Sequence, residues 1–274
     1  MNCRYTIQVA LGAALLLGLA PQGSAAAIPI SVLRSAADFA VLGASTVTNT
    51  GATLLTGSPT GTANLGLWPG TSVTDAGLVT FTNGAIVAGA AAQQAQADAL
   101  LAYNDLSARL GGTLTDPDLG GYHGLTALVP GIYDFAESAA ITGTLELNAQ
   151  GADEAYWIFQ IPSALTTASN ASVRFINLNP LGNRGADINV FWLVGTSATL
   201  GTDTAFAGNI LAETSITMNH GATIFSGRAL ALGGAVTMDS NTINVVPVPE
   251  PSTFSALTVG LAVLCGRSRR RREA

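Results

Sequence analysis

Hydrophobic and polar residues alternate in short runs over most of the chain between residues 28 and 244. The runs are separated by Gly, Asn, Asp and Ser, most regularly from about residue 139 onward. Alternation with a period of two places successive side chains on opposite faces of a β-strand, and the separating residues are typical of turns. The pattern therefore predicts many short strands, each with one buried and one outward side.

The strand-like runs also repeat along the chain. One template fits residues 164–173, 197–206 and 215–224 without a gap and residues 235–243 with one deletion. Successive copies, counted from Thr199 to Thr217 to Thr237, are 18 and 20 residues apart. A period of about 20 residues with β-type segments is typical of a solenoid, in which each coil buries its apolar side only by stacking on the next.

The alternation assigns a direction to each side chain of a coil. The residues expected in the interior are Leu165, Ala198, Leu200, Ile216, Met218, Val236 and Met238. One outward column is expected to contain Thr166, Thr199, Thr217 and Thr237, and a second Ser172, Thr223 and Thr242, with Thr204 or Ala205 at the equivalent point. In a parallel stack such side chains recur every ~4.8 Å, which predicts ranks of hydroxyl and methyl groups on a flat surface.

One segment has the period of an α-helix instead. Residues 85–110 lack Pro, are rich in Ala, Gln and Leu, and precede Gly111 and Gly112. Apolar residues recur there three or four positions apart, at Ala95, Ala99, Tyr103 or Ala102, Leu106 and Leu110. This spacing predicts an amphipathic helix over residues 85–110, ended by the glycines, whose Ala-rich stripe lies close against a flat neighbour.

The first 27 residues have the composition of a secretory signal peptide. They combine Arg4, an apolar run and the small residues Ala25, Ala26 and Ala27. The apolar run is shorter than the ~20 residues that a membrane-spanning helix needs. We therefore expect export, with the mature chain starting near Ile28.

The last 30 residues, 245–274, contain three parts in a fixed order. An apolar stretch over residues 254–266 lies between Pro249, Glu250, Pro251 and the basic residues Arg269, Arg270, Arg271, Arg272. This order is similar to the PEP-CTERM sorting signal of Gram-negative bacteria. The resemblance implies a short transmembrane helix, recognition by an exosortase, membrane contact before processing, and delivery to the cell surface or extracellular matrix. Exopolysaccharide is then a further expected partner, and a plain C-terminal membrane anchor is the alternative.

Composition and charge narrow the function of the central domain. The chain has 48% hydrophobic and 10% charged residues, which excludes intrinsic disorder. It has no Lys, and residues 28–244 contain five Arg against 15 acidic residues, so their net charge of −10 excludes nucleic acid as a partner. Cys3 and Cys265 lie outside this domain, and His123 and His220 have no metal-ligand spacing, so we expect no metal and no cofactor.

Nine segments distributed over the domain carry a family resemblance. They are Ala37-Asp-Phe-Ala-Val-Leu-Gly43, Thr46-Val-Thr-Asn-Thr-Gly51, Ala95-Gln-Ala-Asp-Ala99, Ala102-Tyr-Asn104, Leu119-Gly-Gly121, Val129-Pro-Gly-Ile-Tyr133, Tyr156-Trp-Ile-Phe-Gln160, Asn189-Val-Phe-Trp-Leu-Val-Gly195 and Gly208-Asn-Ile-Leu-Ala212. In their order and number they are similar to the secreted ice-binding protein family, formerly a domain of unknown function. The resemblance implies a mainly β fold, a discontinuous right-handed parallel β-helix of triangular section with one long α-helix packed alongside. It also implies non-catalytic adsorption to an ice crystal surface.

The candidate site combines the outward columns with a pattern found on the ice-binding face of some family members, Thr-Ala/Gly-x-Thr/Asn. Thr50-Gly-Ala-Thr53 and Thr167-Ala-Ser-Asn170 match it, whereas Thr202-Asp-Thr-Ala205 and His220-Gly-Ala-Thr223 depart from it. Thr suits such a face because it carries a methyl and a hydroxyl on a stiff stem. The candidates are Thr50, Thr53, Thr166, Thr167, Asn170, Thr199, Thr202, Thr217, Thr223, Thr237 and Thr242.

Two other functions are compatible with a Thr-rich solenoid. The first is a matrix or adhesion module without ice affinity, since Thr is also a good strand residue. The second is a polysaccharide-degrading enzyme, which would need clustered carboxylates. The closest acidic pair, Asp116 and Asp118, is predicted to be a solvated turn and Asp153-Glu154 a loop, so no catalytic residue is predicted.

Overall fold

The chain forms a three-sided β-solenoid with a long α-helix along one side. The structure is a computed structural model that describes residues 30–57, 61–152, 154–178 and 188–245. The predicted solenoid with an adjacent helix is confirmed. The predicted signal peptide and the predicted sorting segment beyond Val245 lie outside the described residues. Among the residues that the structure describes, no helix is long and apolar enough to cross a membrane.

Each complete coil contributes one strand to each of three sheets, A, B and C, in that order. The first two coils are β1 (Phe39–Gly43), β2 (Thr46–Thr50), β3 (Thr53–Thr56), β4 (Asn64–Leu67), β5 (Ser72–Thr74) and β6 (Val79–Phe81). The chain then forms β7 (Ile86–Val87), α1 (Ala90–Ser107) and β8 (Gly112–Thr113). Short 3-10 helices cover Ile30–Asp38, Ala76–Leu78, Leu119–Gly121 and Gly124–Thr126.

The chain after the helix builds five further coils. They are β9 (Gly131–Asp134), β10 (Ala139–Ile141), β11 (Thr144–Asn148); β12 (Ala155–Ile161), β13 (Leu165–Thr167), β14 (Ser172–Ile176); β15 (Ile188–Val194), β16 (Ala198–Leu200), β17 (Ala205–Ala207); β18 (Asn209–Ala212), β19 (Ile216–Met218), β20 (Thr223–Phe225); and β21 (Ala229–Ala231), β22 (Val236–Asp239), β23 (Thr242–Asn244).

The stacking order of the coils differs from their order in the chain. Sheet A runs β7-β4-β1-β21-β18-β15-β12-β9-β8, sheet B β10-β13-β16-β19-β22-β2-β5 and sheet C β11-β14-β17-β20-β23-β3-β6. The first coil therefore lies between the last coil and the second, with Val41 paired to Ala229 and Thr48 to Thr237. All strand pairs are parallel.

Apolar side chains fill the interior of the solenoid. Every residue that the alternation placed inside is buried, namely Leu165, Ala198, Leu200, Ile216, Met218, Val236 and Met238. Four aromatic rings follow one another along the interior. Tyr133 and Phe159 are stacked with their centroids 5.5 Å apart, Phe159 and Trp192 are stacked at 4.1 Å, and Trp192 and Phe206 are tilted at 5.0 Å. The Trp192 Nε1–H donates to the Ala207 carbonyl at 3.0 Å, so burial leaves no indole donor unpaired.

The helix is shorter than predicted at both ends but buries the predicted stripe. Its small residues Ala92, Ala95, Ala99 and Ala102 are buried together with Leu106. Ala95, Ala99, Ala102 and Leu106 belong to one apolar cluster with the outer side of sheet A, formed there by Phe39, Leu42, Ile158, Phe191, Leu193, Leu211 and Leu230. The prediction that Leu110 continues the stripe is wrong, because the helix ends at Ser107 and leaves Leu110 94% exposed.

A buried arginine holds the N-terminal segment against the later coils. The Arg228 Nε and one terminal nitrogen donate to the Ala37 carbonyl at 2.9 and 2.7 Å, and the other terminal nitrogen donates to Asn209 Oδ1 at 2.9 Å. Burial lowers the pKa of Arg228 to about 10, partly opposed by Asp38, so the guanidinium remains charged at neutral pH. This contact joins residues 191 positions apart in the chain.

A buried carboxylate on the helix holds the same segment from the other side. Asp98 accepts hydrogen bonds from the Ser35 hydroxyl at 2.5 Å, the Ser35 N–H at 3.2 Å and the Gln94 side chain at 3.2 Å. Arg34 lies 3.7 Å from the same carboxylate. Burial alone would raise the pKa of Asp98, but these hydrogen bonds outweigh it and hold the pKa below its ordinary value of 3.8.

We predict that Asp98→Asn destabilises the domain by about 1–2 kcal/mol at pH 7, because it weakens charge-assisted hydrogen bonds to a buried acceptor. The folded-state pKa lies below the ordinary 3.8, so the carboxylate stabilises the fold above that pH. This stabilisation is lost as the pH falls through the folded-state pKa, so the difference between variant and parent should shrink there. Urea unfolding at pH 7 and below pH 3.8 measures it.

The matched control is Asp105→Asn on the same helix, where the carboxylate is exposed and pairs with Arg109 at 3.1 Å. It should change the free energy of unfolding by less than about 0.5 kcal/mol. Equal losses in the two variants would show that the Asp98 contacts do not stabilise the N-terminal segment.

We predict that Arg228→Lys costs about 2–3 kcal/mol of unfolding free energy, because an ammonium group cannot reproduce the planar fork that contacts Ala37 and Asn209. Urea unfolding again provides the measurement. Arg174→Lys, at a largely exposed arginine, is the control and should cost less than about 1 kcal/mol. An unchanged midpoint of urea unfolding for Arg228→Lys would show that the planar guanidinium is not needed for these contacts.

Candidate functional site

The outward sides of the three sheets, called faces A, B and C, differ in what covers them. Face A is occupied by α1 and by the 3-10 segment Ile30–Asp38, whose Leu33 and Ala36 are buried in the same cluster. Gln160 on this face donates to the carbonyls of Leu106 and Arg109 at the end of the helix, at 3.2 and 2.7 Å. Faces B and C therefore remain for contact with a large flat partner.

A continuous column of small side chains runs along the middle of face B. In stacking order this central column consists of Ala140, Thr166, Thr199, Thr217, Thr237, Thr48 and Thr74, and each is paired in register with the next. All of them are exposed or half-buried. The predicted column of Thr166, Thr199, Thr217 and Thr237 is confirmed as a geometric feature.

Sequence reasoning missed Thr48 and Thr74. These residues lie in the first two coils, which come before the helix and outside the repeat on which the columns were built. The alternation of Thr46-Val-Thr48 carried a signal for them, since Val47 is buried between two outward threonines. The missing information was the stacking of the first coil on the last, which places Thr48 beside Thr237.

A second column follows the edge of face B. Two positions before each member of the central column stand Ser138, Ala164, Ser197, Ser215, Ala235, Thr46 and Ser72. Three of its hydroxyls accept hydrogen bonds from the next coil: Ser138 from Ala164 N–H at 3.4 Å, Ser197 from Ser215 N–H at 3.3 Å and Ser215 from Ala235 N–H at 3.2 Å. These bonds fix the hydroxyls, and both columns contain only Thr, Ser and Ala.

Two predicted site residues face inward, so their assignment to the exposed face is wrong. Thr53 is 1% exposed, donates to Asn49 Oδ1 at 2.7 Å and accepts from the Asn241 N–H at 3.1 Å. Thr167 is 7% exposed, lies 2.7 Å from the Thr204 hydroxyl and accepts from the Gly201 N–H at 2.8 Å. Both hydroxyls satisfy polar groups inside the corner between sheets B and C.

Of the remaining residues of the family pattern, Asn170 and Thr202 lie in turns at this corner, whereas Thr50 is the last residue of β2. Thr50 and Asn170 are exposed and Thr202 is half-buried. Asn170 has a φ of 61°, a left-handed conformation that Asn tolerates in a tight turn. His220 stands in a turn of the same corner, and its Nδ1 lies 3.3 Å from Oδ1 of Asp239. Asp239 is the last residue of β22 and is paired with Thr50. The pattern therefore marks the rim of face B and not its centre.

Face C carries a similar column with different neighbours. Its members are Thr144, Ser172, Ala205, Thr223, Thr242, Leu54 and Thr80. The predicted Ser172, Thr223 and Thr242 are confirmed in this column. At the position where the sequence left Thr204 or Ala205 open, the structure places Ala205, because Thr204 is fully buried.

Charged and aromatic side chains interrupt face C. Glu146 accepts hydrogen bonds from the Gly124 N–H at 2.6 Å and from Arg174, and these bonds hold the pKa of Glu146 below its ordinary value. Phe225, two residues beyond Thr223, is 56% exposed. Face C is thus chemically mixed, whereas the two columns of face B are uniform.

The acidic residues weighed as an enzyme site have structural roles where they are described. Asp118 accepts hydrogen bonds from the Gly120 and Thr142 N–H groups at 2.9 and 3.0 Å and from the Thr142 hydroxyl. Burial would raise the pKa of Asp118, but these bonds lower it overall. Asp116 accepts from the Asp118 N–H at 2.9 Å, so this turn is hydrogen-bonded and only partly solvated. Glu154 is exposed, and Asp153 lies outside the described residues.

In the part of the chain that the structure describes, no group of three or more His, Cys, Asp or Glu side chains is placed to hold a metal ion. The cavity between the end of α1 and sheet A is lined by one carboxylate, Asp134, beside Tyr103 and Gln160. A single carboxylate does not supply the pair of carboxylates that a glycoside hydrolase needs.

Comparison with known proteins agrees with this geometry. Residues 41–244 match the family model described as ice-binding-like, and residues 247–271 match the PEP-CTERM protein-sorting motif. An ice-binding protein of Nostoc sp. (strain HG1) is 43% identical over 262 residues, covering 91% of each chain.

Two crystal structures are similar over most of the solenoid. An ice-binding protein from an Antarctic biological consortium is 40% identical with a TM-score of 0.68, covering 79% of this chain and 91% of that one. The ice-binding protein of the Antarctic ascomycete Antarctomyces psychrotrophicus is 32% identical with a TM-score of 0.66, covering 80% and 98%. From its sequence match over most of the solenoid, the chain belongs to the ice-binding-like family.

Proposed function

We propose that this protein binds ice without catalysis and that face B is the contact surface. The observation that carries the proposal is the pair of uncharged columns on this face, which extend over all seven strands of sheet B. Binding outside the cell would slow the growth or recrystallisation of ice. The relatives from Nostoc, the Antarctic consortium and Antarctomyces, each described as an ice-binding protein, support the same function.

The physical basis is the match between a rigid surface and ordered water. Methyl groups order the water next to them, and hydroxyls hydrogen-bond that layer. Thr supplies both on a β-branched stem whose χ1 is restricted, so little side-chain entropy is lost on binding. The parallel stack repeats these groups every ~4.8 Å along the solenoid. Charges would instead hold water in radial shells that do not fit a lattice.

Face B is preferred to the other two faces for separate reasons. Face A is covered by the helix and the N-terminal segment. Face C carries the Glu146–Arg174 ion pair and the exposed ring of Phe225. The Thr, Ser and Ala columns of face B offer a long uncharged surface, in which the hydroxyls of Ser138, Ser197 and Ser215 accept backbone hydrogen bonds.

The proposed contact set follows from this choice of face. Its centre is Thr166, Thr199, Thr217 and Thr237, extended by Thr48 and Thr74, and its rim includes Thr50, Asn170 and Thr202. Thr223 and Thr242, which belong to face C, are assigned no contact.

The sorting motif supports a surface location for this activity. We infer that Pro249, Glu250 and Pro251 are recognised by an exosortase, and that the apolar stretch and Arg269 to Arg272 contact the membrane before processing. Exopolysaccharide of the matrix is a further partner in this scheme. Recovery of the processed chain from the cell-surface fraction tests it.

We predict that Thr199→Tyr and Thr217→Tyr each reduce ice binding to the background of a protein without ice affinity. A phenol ring rising from the centre of face B would separate the flanking hydroxyls from the crystal. Thermal hysteresis and inhibition of recrystallisation measure the loss. Thermal unfolding should be nearly unchanged, because these positions are outward on a strand and Tyr is a good strand residue.

The matched controls are Thr223→Tyr and Thr242→Tyr, which place the same ring on face C and should retain the activity. Loss in these variants with activity kept in the first pair would move the contact surface to face C. Absence of hysteresis and of recrystallisation inhibition in the parent protein would refute ice binding and favour a matrix module on the same scaffold.

A further inference from the structure

The last strand of the solenoid ends at the corner between sheets C and A. Each coil runs from A through B to C, and β23 is the final C strand. Val245 donates its N–H to the Thr56 carbonyl at 2.9 Å, and Asn244 accepts from the Gly227 N–H at 3.2 Å. The backbone is therefore held in this corner up to its last described residue. In a three-sided section, the corner between C and A lies opposite face B.

The N-terminal segment is held on the same side of the molecule. Its 3-10 helix leads directly into β1 of sheet A. The Ala37 carbonyl is bound by Arg228, and the Asp38 carbonyl accepts from the Thr62 hydroxyl at 3.0 Å. Ser35 is bound by Asp98 of the helix that covers face A. Both ends of the described domain thus lie away from face B.

The sorting motif begins almost at the exit point. Its match starts at residue 247, two residues beyond Val245. Two residues span at most about 7 Å, so the attachment segment starts close to the C–A corner. The surface to which this segment is attached therefore lies next to faces A and C.

The exit also lies along the side of the solenoid and not at one of its ends. Strand β23 is flanked in sheet C by β20 on one side and by β3, followed by β6, on the other. A molecule held at this point can lie with its long axis along the attachment surface. All seven strands of sheet B then face the same way, outward.

The distribution of charge is consistent with this orientation. Exposed charged groups on faces A and C include Arg34 and Arg174, whereas the two columns of face B contain none. The charged residue in the strands of sheet B is Asp239, the last residue of β22, and it lies with His220 at the rim of face B and not in its two columns.

We infer that the C-terminal segment presents face B away from the surface that carries the protein, so that the attached form binds that surface to ice. This inference rests on the proposed function. The proposed function concerns the effect of the free domain on crystal growth. The inference adds a second activity, in which the attached protein makes its carrier, a cell or its matrix, adhere to ice.

The native cysteines provide the test. The chain contains two, Cys3 in the N-terminal segment and Cys265 in the sorting segment. The full-length chain with Cys3→Ser is coupled through Cys265 to maleimide beads. The beads are placed ahead of a slowly growing ice front, and the fraction of beads incorporated into the ice is measured. We expect the ice fraction to exceed that of uncoupled beads by at least about tenfold, which corresponds to 1.4 kcal/mol.

The matched control is the chain with Cys3→Ser, Cys265→Ser and Thr217→Cys, coupled through face B. Its beads should remain in the liquid. The same two chains, uncoupled and in solution, are measured for thermal hysteresis, which separates the effect of the Thr217 substitution from the effect of orientation.

The outcomes distinguish the inference from the function on which it rests. Hysteresis of the free Cys3→Ser chain without adhesion of its Cys265-coupled beads would overturn the display geometry and leave ice binding intact. Equal adhesion of beads coupled through Thr217→Cys would also overturn the geometry. No hysteresis in the free chain would mean that the proposed function itself is wrong.

Discussion

The register of the parallel hydrogen bonds between coils determines both the core and the surface of this molecule. Pairing of Thr199 with Thr217 and of Thr217 with Thr237 aligns the hydroxyls and, on the other side of the same strands, aligns Ala198, Ile216 and Val236 in the interior. A slip of one residue would bury the threonines and expose the aliphatic side chains. Burial of the core therefore enforces the order of the outer columns, and no separate interaction is needed to arrange them.

The repeat made much of this predictable from sequence. Residues 164–243 lie in consecutive coils, so the alignment of their sequence is also their alignment in space, and the central column followed from it. Thr48 and Thr74 were missed because no local pattern reveals that the first coil stacks on the last. Thr53 and Thr167 were misplaced because a short motif shows residue type but not which backbone groups inside a corner lack partners.

Threonine consequently has two separate roles in the same coils. On face B its hydroxyl points to solvent at a fixed spacing, while at the B–C corner Thr53, Thr167 and Thr204 satisfy buried donors and acceptors. The inner set, with Asn49 and Asn241, holds successive turns together where the strands end. The flatness of the outer face depends on these turns, because a corner that varied from coil to coil would displace the strands beside it.

The position of the first coil between the last and the second has a consequence for the order of assembly. Strands β1, β2 and β3 can all be paired with β21, β22 and β23 only after residue 244 has been made. Val41, for example, pairs with Ala229, which is 188 positions later in the chain. Contacts of such long sequence separation form slowly, and one edge of the first coil stays unpaired until then. The solenoid therefore cannot be completed before the chain has been made as far as residue 244.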